Sequence, residues 1–229
     1  PGLGTCLQHH RNPLDLSPLP GNSATMFHLV PLDTLLTFAT AGILLNLTPG
    51  SDVMFATASG MVGGPRAGMA AGAGVGLGGF WHVGLAALGV AALLAAHPAA
   101  TVALRWFGAG YLLYLAYSAW TTGPAQATTG TASLARAFWR GFLTNALNPK
   151  PILFMLAFLP QFIQPQIGPA WQQILLLGLT FGLTGTLITA GYGYLAGRAG
   201  HAIGARMGVL NKGAAVLFAG LAARLILED

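Results

Sequence analysis

Six apolar stretches, at about 31–57, 66–95, 103–121, 139–163, 171–196 and 211–227, alternate with short polar connections along the chain. A helix needs roughly 20 residues to cross about 30 Å of hydrocarbon, and these stretches approach or exceed that length. Helices satisfy their own backbone in lipid, whereas the alternating strands of about ten residues that build a membrane barrel are absent. The pattern predicts an all-α membrane protein with six transmembrane helices. The second stretch is longer than a span requires and rich in glycine, so it is expected to tilt or break. The last is short.

Two polar, proline-containing patches interrupt this pattern, Asn46-Leu-Thr-Pro-Gly-Ser-Asp52 in the first stretch and Asn145-Ala-Leu-Asn-Pro-Lys-Pro151 in the fourth. Proline removes a helix hydrogen bond and clashes with the preceding turn. Pro49, Gly50 and Pro149 are therefore expected to break the first and fourth helices. The patches fall in matching parts of two halves, about 31–121 and 139–227. Aligning Thr48-Pro49-Gly50 with Asn148-Pro149-Lys150 lays the first span over the fourth and brings Phe55 near Phe154. Three spans per half is an odd number, so related halves must insert upside down relative to each other. The fold expected is two inverted three-helix repeats whose broken helices meet near the midplane, the layout of many secondary transporters.

Composition agrees. Of 229 residues, 54% are hydrophobic and 7% charged, against about 25% charged in a soluble domain. The lipid bilayer is the expected surrounding. The net charge of +5 comes from ten basic residues scattered between apolar runs, which read as topology determinants rather than a nucleic-acid surface. Arg66 follows the first span. Arg136 and Arg140 precede the fourth, and Arg198, Arg206 and Lys212 lie between the fifth and sixth. The positive-inside rule makes these three connections cytoplasmic and turns both termini outward. The single Cys6 excludes an internal disulfide. Residues 1–25 are polar and lack the apolar core of a signal peptide. They read as a disordered tail or as an upstream start call, with Met26 opening the domain that runs to residue 229.

Inside an apolar chain the ionisable residues are the candidates for chemistry. Asp52, after Pro49-Gly50, suits a substrate ammonium or a proton; its other reading is a helix cap. Lys150, between two prolines, suits a substrate carboxylate or a structural ion pair with Asp52, or snorkels to the surface. Asn46, Asn145 and Asn148 bring amide donors and acceptors to the same breaks, for a substrate or for interhelical hydrogen bonds. His82, mid-span, is either a proton relay or a satisfied structural residue. Tyr111, Tyr114 and Tyr117 share one helical face and read as packing or interface anchoring. Gly68, Gly72 and Gly76 recur every four residues, as do Gly178 and Gly182, and Gly193 and Gly197, the spacing of close helix contact in lipid. No HExxH, paired carboxylates in one span or serine–histidine arrangement suggests an enzyme, and no cofactor is implied. The readings left open are a secondary exporter of small zwitterions, a small ion or metal exporter of the same architecture, and a membrane-embedded assembly or enzyme subunit. A metal exporter is expected to cluster soft or imidazole ligands, yet the spans hold only His82.

Several passages resemble the LysE/RhtB family of amino-acid exporters: Leu47-Thr-Pro-Gly-Ser-Asp52, Gly63-Gly-Pro-Arg-Ala-Gly68, Gly72-Ala-Gly-Val-Gly76 with His82, and Gly108-Ala-Gly-Tyr-Leu-Leu-Tyr-Leu115. The most specific is Gly141-Phe-Leu-Thr-Asn-Ala-Leu-Asn-Pro-Lys150, followed by Leu153-Phe154 and Phe158-Leu-Pro-Gln-Phe162. The resemblance implies proton-driven export of amino acids or close derivatives across the bacterial cytoplasmic membrane. It also implies a central substrate site built from the first and fourth breaks. The family usually reads Pro-Gly-Pro at the first break; here the second proline is Ser51. The glycine faces allow packing within one chain or in a homo-oligomer.

Overall fold

The computed structural model describes residues 29–96, 100–121, 129–199 and 207–227. The expected tail or start at 1–25, with Cys6, and the basic Arg206 lie outside the described residues. Every element among them is helical. They are α1 Leu32–Leu47, α2 Ser51–Ala96, α3 Ala100–Thr121, α4 Leu134–Ala146, α5 Pro149–Phe158 with a 3-10 turn Leu159–Phe162, α6 Ala170–Ala199 and α7 Met207–Leu227.

The two breaks have one local cause. A residue before proline is pushed out of the helical region by the proline ring. Thr48 ends α1 in an extended conformation (φ −69°, ψ 115°), and Asn148 ends the α4 segment in nearly the same one (φ −77°, ψ 119°). Pro149 then takes the first position of α5, where its missing N–H costs nothing. The break expected at Pro149 lies just ahead of it: Pro149 and Pro151 both belong to the first turn of α5, and the bend of 46° falls before them.

A third break sits within α2. Gly64 has φ 76° and ψ −178°, a backbone that side-chain-bearing residues avoid, and Pro65 follows it. The helix folds back there. Asp52 and Gly78 would be about 39 Å apart in one straight helix. Both instead meet Asn145: its side chain donates to Asp52 at 2.8 Å, and a Cβ on Gly78 would lie 2.7 Å from its Cβ. The arm 51–63 thus continues α1 beyond the first break, and the arm 65–96 returns beside it. The reversal at Gly63-Gly-Pro-Arg falls in the connection between the first two stretches, and the glycine-rich second stretch, expected to tilt or break, runs on from it as one helical arm.

Among the described residues, two helical segments qualify as membrane spans by length and apolarity, Ser51–Gly89 and Ala170–Ala199, and the bent pair α4–α5 makes a third. The count is below six partly because the breaks shorten the pieces: α1 has 16 residues on its own, and the fold-back at Gly64 divides Ser51–Gly89 between two arms. Large apolar side chains face outward around the bundle, among them Leu88, Val102, Leu183, Leu187 and Val216, as a lipid-facing surface requires.

The centre of the bundle is the antiparallel pair α2 and α6. Their backbones touch through small residues: Gly68 against Gly193, Gly72 against Ala190, Gly76 against Thr186, and Gly178 against Val83. A Cβ on Gly72 would fall 2.5 Å from the Ala190 Cα. The helices α3 and α7 pair beside them, α1 packs on α6, and α4 packs on α2. A chain of rings fills the remaining core. Phe181 stacks on Phe154 with centroids 5.5 Å apart, Phe154 meets Phe158 at 4.9 Å, and Phe158 meets Phe162 at 4.7 Å.

Candidate substrate site at the two helix breaks

The breaks gather four helix ends. The break cuts short the backbone bonding of the last turn of α1, where the Thr48 N–H is shared between the Leu44 and Leu45 carbonyls at 3.1 and 3.2 Å. Side chains add further donors. Thr48 Oγ1 donates to the Leu44 carbonyl at 2.7 Å, and Tyr192 Oη donates to Leu47 at 3.2 Å. The Lys150 ammonium donates to Thr48 at 3.1 Å and to Leu45 at 3.4 Å. A cation at a helix C-terminus is also favoured by the aligned peptide dipoles. Lys150 is positioned by its own helix start, since its N–H donates to the Asn148 Oδ1 cap at 3.0 Å. The Tyr111 hydroxyl holds the Lys150 carbonyl at 3.1 Å.

The anionic half of the site mirrors this. Asp52 occupies the first turn of α2, where the dipole favours negative charge. Its Oδ2 accepts from Asn145 Nδ2 at 2.8 Å and from Asn148 Nδ2 at 3.0 Å. Ser51 joins through its hydroxyl, which accepts from Asn148 at 3.1 Å and lies 3.4 Å from Asp52 Oδ1. The direct ion pair considered from sequence does not form. Lys150 is answered by carbonyls of α1 and Asp52 by amides of the α4–α5 break.

Five of the expected residues converge here. Asp52, Lys150, Asn46, Asn145 and Asn148 all line one cavity of about 40 Å³, with Gly50 in its wall. Asn46 is tied to α6, donating to the Phe181 carbonyl at 3.3 Å and to Thr184 Oγ1 at 3.4 Å. Pro49 and Pro149 act as the breaks and border a neighbouring cavity instead. His82 does not line the central cavity. It is buried behind it, with Nε2 2.9 Å from the Asn145 carbonyl and Nδ1 unpartnered. Asn145 Oδ1 is likewise buried without a partner.

The neighbouring cavity, about 300 Å³, lies across Thr48–Gly50 from the first and shares Thr48, Gly50 and Lys150 with it. Its walls are mostly apolar, from Leu115, Leu153 and Phe218, with the rings of Tyr111 and Tyr114. A third cavity of about 210 Å³ lies at the N-terminal end of α1, lined by Asp33, Gln161, Gln164 and Arg224. Among the described residues no group of three or more His, Cys, Asp and Glu is placed to hold a metal ion.

Residues 43–229 match the family model described as LysE type translocator. The chain belongs to the LysE family of translocators. It is 34% identical over 180 residues to the homoserine/homoserine lactone efflux protein of Salmonella typhimurium, covering 76% of this chain and 87% of the relative. It is 32% identical over 171 residues to an uncharacterized membrane protein of Vibrio cholerae, covering 73% and 83%. A leucine efflux protein of Salmonella typhimurium is 29% identical over 131 residues, covering 56% and 62%. No solved structure matches.

Within this LysE translocator, Ser51 in place of proline contributes a hydroxyl to the anionic side and leaves the first break intact. Sequence reasoning placed α6 as the fifth span, 171–196, but missed its part in the site. Thr186, Thr189 and Gly185 of α6 line the central cavity, and Tyr192 caps α1. Their signal was present as hydroxyls spaced three to four residues apart in an otherwise apolar span. The tyrosine stripe of α3 also divides: Tyr111 is buried against Lys150, whereas Tyr117 is 70% exposed.

Proposed function

We propose that this LysE translocator exports amino acids or close derivatives across the bacterial cytoplasmic membrane, driven by the proton gradient. In this reading it is a six-span protein of two inverted halves that alternate access to the central cavity. Helix packing supports the inverted halves. If α1 corresponds to α4–α5, the arm 65–96 to α6, and α3 to α7, the contact of α1 with α6 is matched by that of α4 with α2. The contact of α1 with α7 is likewise matched by that of α5 with α3. Access from the outer side would require the ring chain from Phe181 to Phe162 to part.

The observation that carries the reading is one acid and one base lining the same cavity, each held by neutral partners and not by the other. A zwitterion presents the complementary pair. Its ammonium would take the place of the amides on Asp52, and its carboxylate would take Lys150 from the α1 carbonyls. The names of the relatives, for homoserine and leucine efflux, support this substrate class.

The test is efflux from cells loaded with amino acids as dipeptides. Charged hydrogen bonds contribute about 1.5–3 kcal/mol, so Asp52→Asn and Lys150→Ala should each lower export by on the order of tenfold or more at equal protein level. Wild-type export by both variants would overturn the site. Uptake into inside-out vesicles with and without an imposed pH gradient tests the coupling.

A further inference from the structure

We infer that the cavity on the α3 side of the first break is the side-chain pocket of the transported amino acid, and that it selects apolar side chains. The inference rests on the export reading above. A cavity needs roughly 10–15 Å³ to hold one water, so the central cavity of about 40 Å³ admits a few waters and a small charged head, not a leucine-sized side chain. The adjoining cavity of about 300 Å³ has that room.

The two spaces share the residues that would hold the head of the substrate. Lys150 lines both, as do Thr48 and Gly50. At Gly50 the partition has no side chain: the position a Cβ would take is 3.8 Å from Lys150 Nζ. A carboxylate on Lys150 can therefore sit with its α-carbon beside Gly50 and its side chain across the break. The far walls suit an apolar group. Leu115 and Ala119, one turn apart on α3, face the cavity with Leu153 of α5 and Phe218 of α7. The Tyr111 hydroxyl is already engaged by the Lys150 carbonyl, so that ring presents its apolar body. Among the described residues no Asp or Glu lines the cavity, and Lys150 at its edge is the one basic group. A cationic side chain would find no counter-charge there.

The experiment is a competition efflux assay with glycine, alanine, leucine, phenylalanine and lysine, on wild type and two variants of opposite effect. Ala119→Leu fills the pocket and Leu153→Ala enlarges it. Wild type is expected to export leucine in preference to glycine and lysine. A methylene's worth of space changes discrimination by roughly 10–200-fold. Ala119→Leu should then lower the leucine-to-alanine rate ratio by on the order of tenfold, and Leu153→Ala should raise the phenylalanine-to-leucine ratio. Ratios unmoved by both variants, including a uniform loss for every substrate, would overturn the pocket. They would point to a lipid chain as its occupant. Failure of wild type to export any amino acid of the panel would instead overturn the export reading itself. Ala119→Leu is a small-to-large change in a buried position; if it does not accumulate, the Leu153→Ala ratio alone decides.

Discussion

Asn148 does two jobs with one amide side chain. Its Oδ1 caps α5, and its Nδ2 reaches Asp52 and Ser51. Asn148→Ala loses both, and a lost cap alone costs about 1 kcal/mol. Asn148→Asp keeps a cap acceptor but sets a second carboxylate against Asp52. Melting of the detergent-purified protein should therefore fall for both variants, through the lost cap in Asn148→Ala and through carboxylate repulsion in Asn148→Asp, while export stays low for both. His82 poses a sharper alternative between relay and tie. Its bond to the Asn145 carbonyl holds α4 to α2, and that carbonyl also accepts from the Asn148 N–H at 2.9 Å. Glutamine supplies a similar donor but carries no transferable proton. If His82 acts as a tie, His82→Gln should export at near wild-type rate and His82→Leu should not. Loss of export by His82→Gln at normal protein level would favour the relay.

At the scale of helices, the glycine periodicity becomes a set of unequal positions. Gly68 and Gly193 lie backbone to backbone, so any Cβ there must separate α2 from α6. Gly84 and Gly191 have open space where a Cβ would stand. Overpacking costs roughly 1–3 kcal/mol, whereas alanine in an open helical site stabilises by about 0.4–1 kcal/mol. Gly68→Ala and Gly193→Ala should lower the melting temperature; Gly84→Ala and Gly191→Ala should leave it unchanged or raise it. This distinction was not legible in the sequence, because spacing marks a face of a helix and not which partner touches it. The breaks were legible, since proline dictates the conformation of Thr48 and Asn148 whatever surrounds them. The meeting of Asp52 with Asn145 and Asn148 was only half legible. Matching patches pointed to a shared site, but the pairing of the carboxylate with amides instead of Lys150 depends on the way α1, α2 and α5 converge. The fold-back at Gly64 was legible as the connection between the first two stretches, at 58–65 beside Arg66; that a single glycine makes it without a loop was not.

For the molecule as a whole, the six-span reading predicts sides. Ala135, near the start of α4, should face the cytoplasm, and Gln166, in the connection before α6, should face outward; both are exposed in the structure. In a Cys6→Ser background, a membrane-impermeant thiol reagent applied to intact cells should label Gln166→Cys and spare Ala135→Cys. Equal labelling of both, or the reverse, would overturn the topology. The antiparallel course of α2 and α6 and the cross-pairing of the two halves bear on the same question from inside the bundle.

Both charges at the break are already answered by the protein, Asp52 by two amides and Lys150 by two carbonyls. On the export reading, a zwitterion entering that site would exchange partners and add few new ones. Its net binding free energy would then be a small difference between similar bonds, which favours weak binding, nearer a millimolar affinity, about −4 kcal/mol, than a micromolar one. Weak affinity of this kind would leave the protein idle at low internal concentrations and engage it only when its substrate accumulates. It would also let the substrate leave quickly once the far side opens. A transporter built on this exchange would act as an overflow valve, with its threshold set by how firmly the empty site holds itself together.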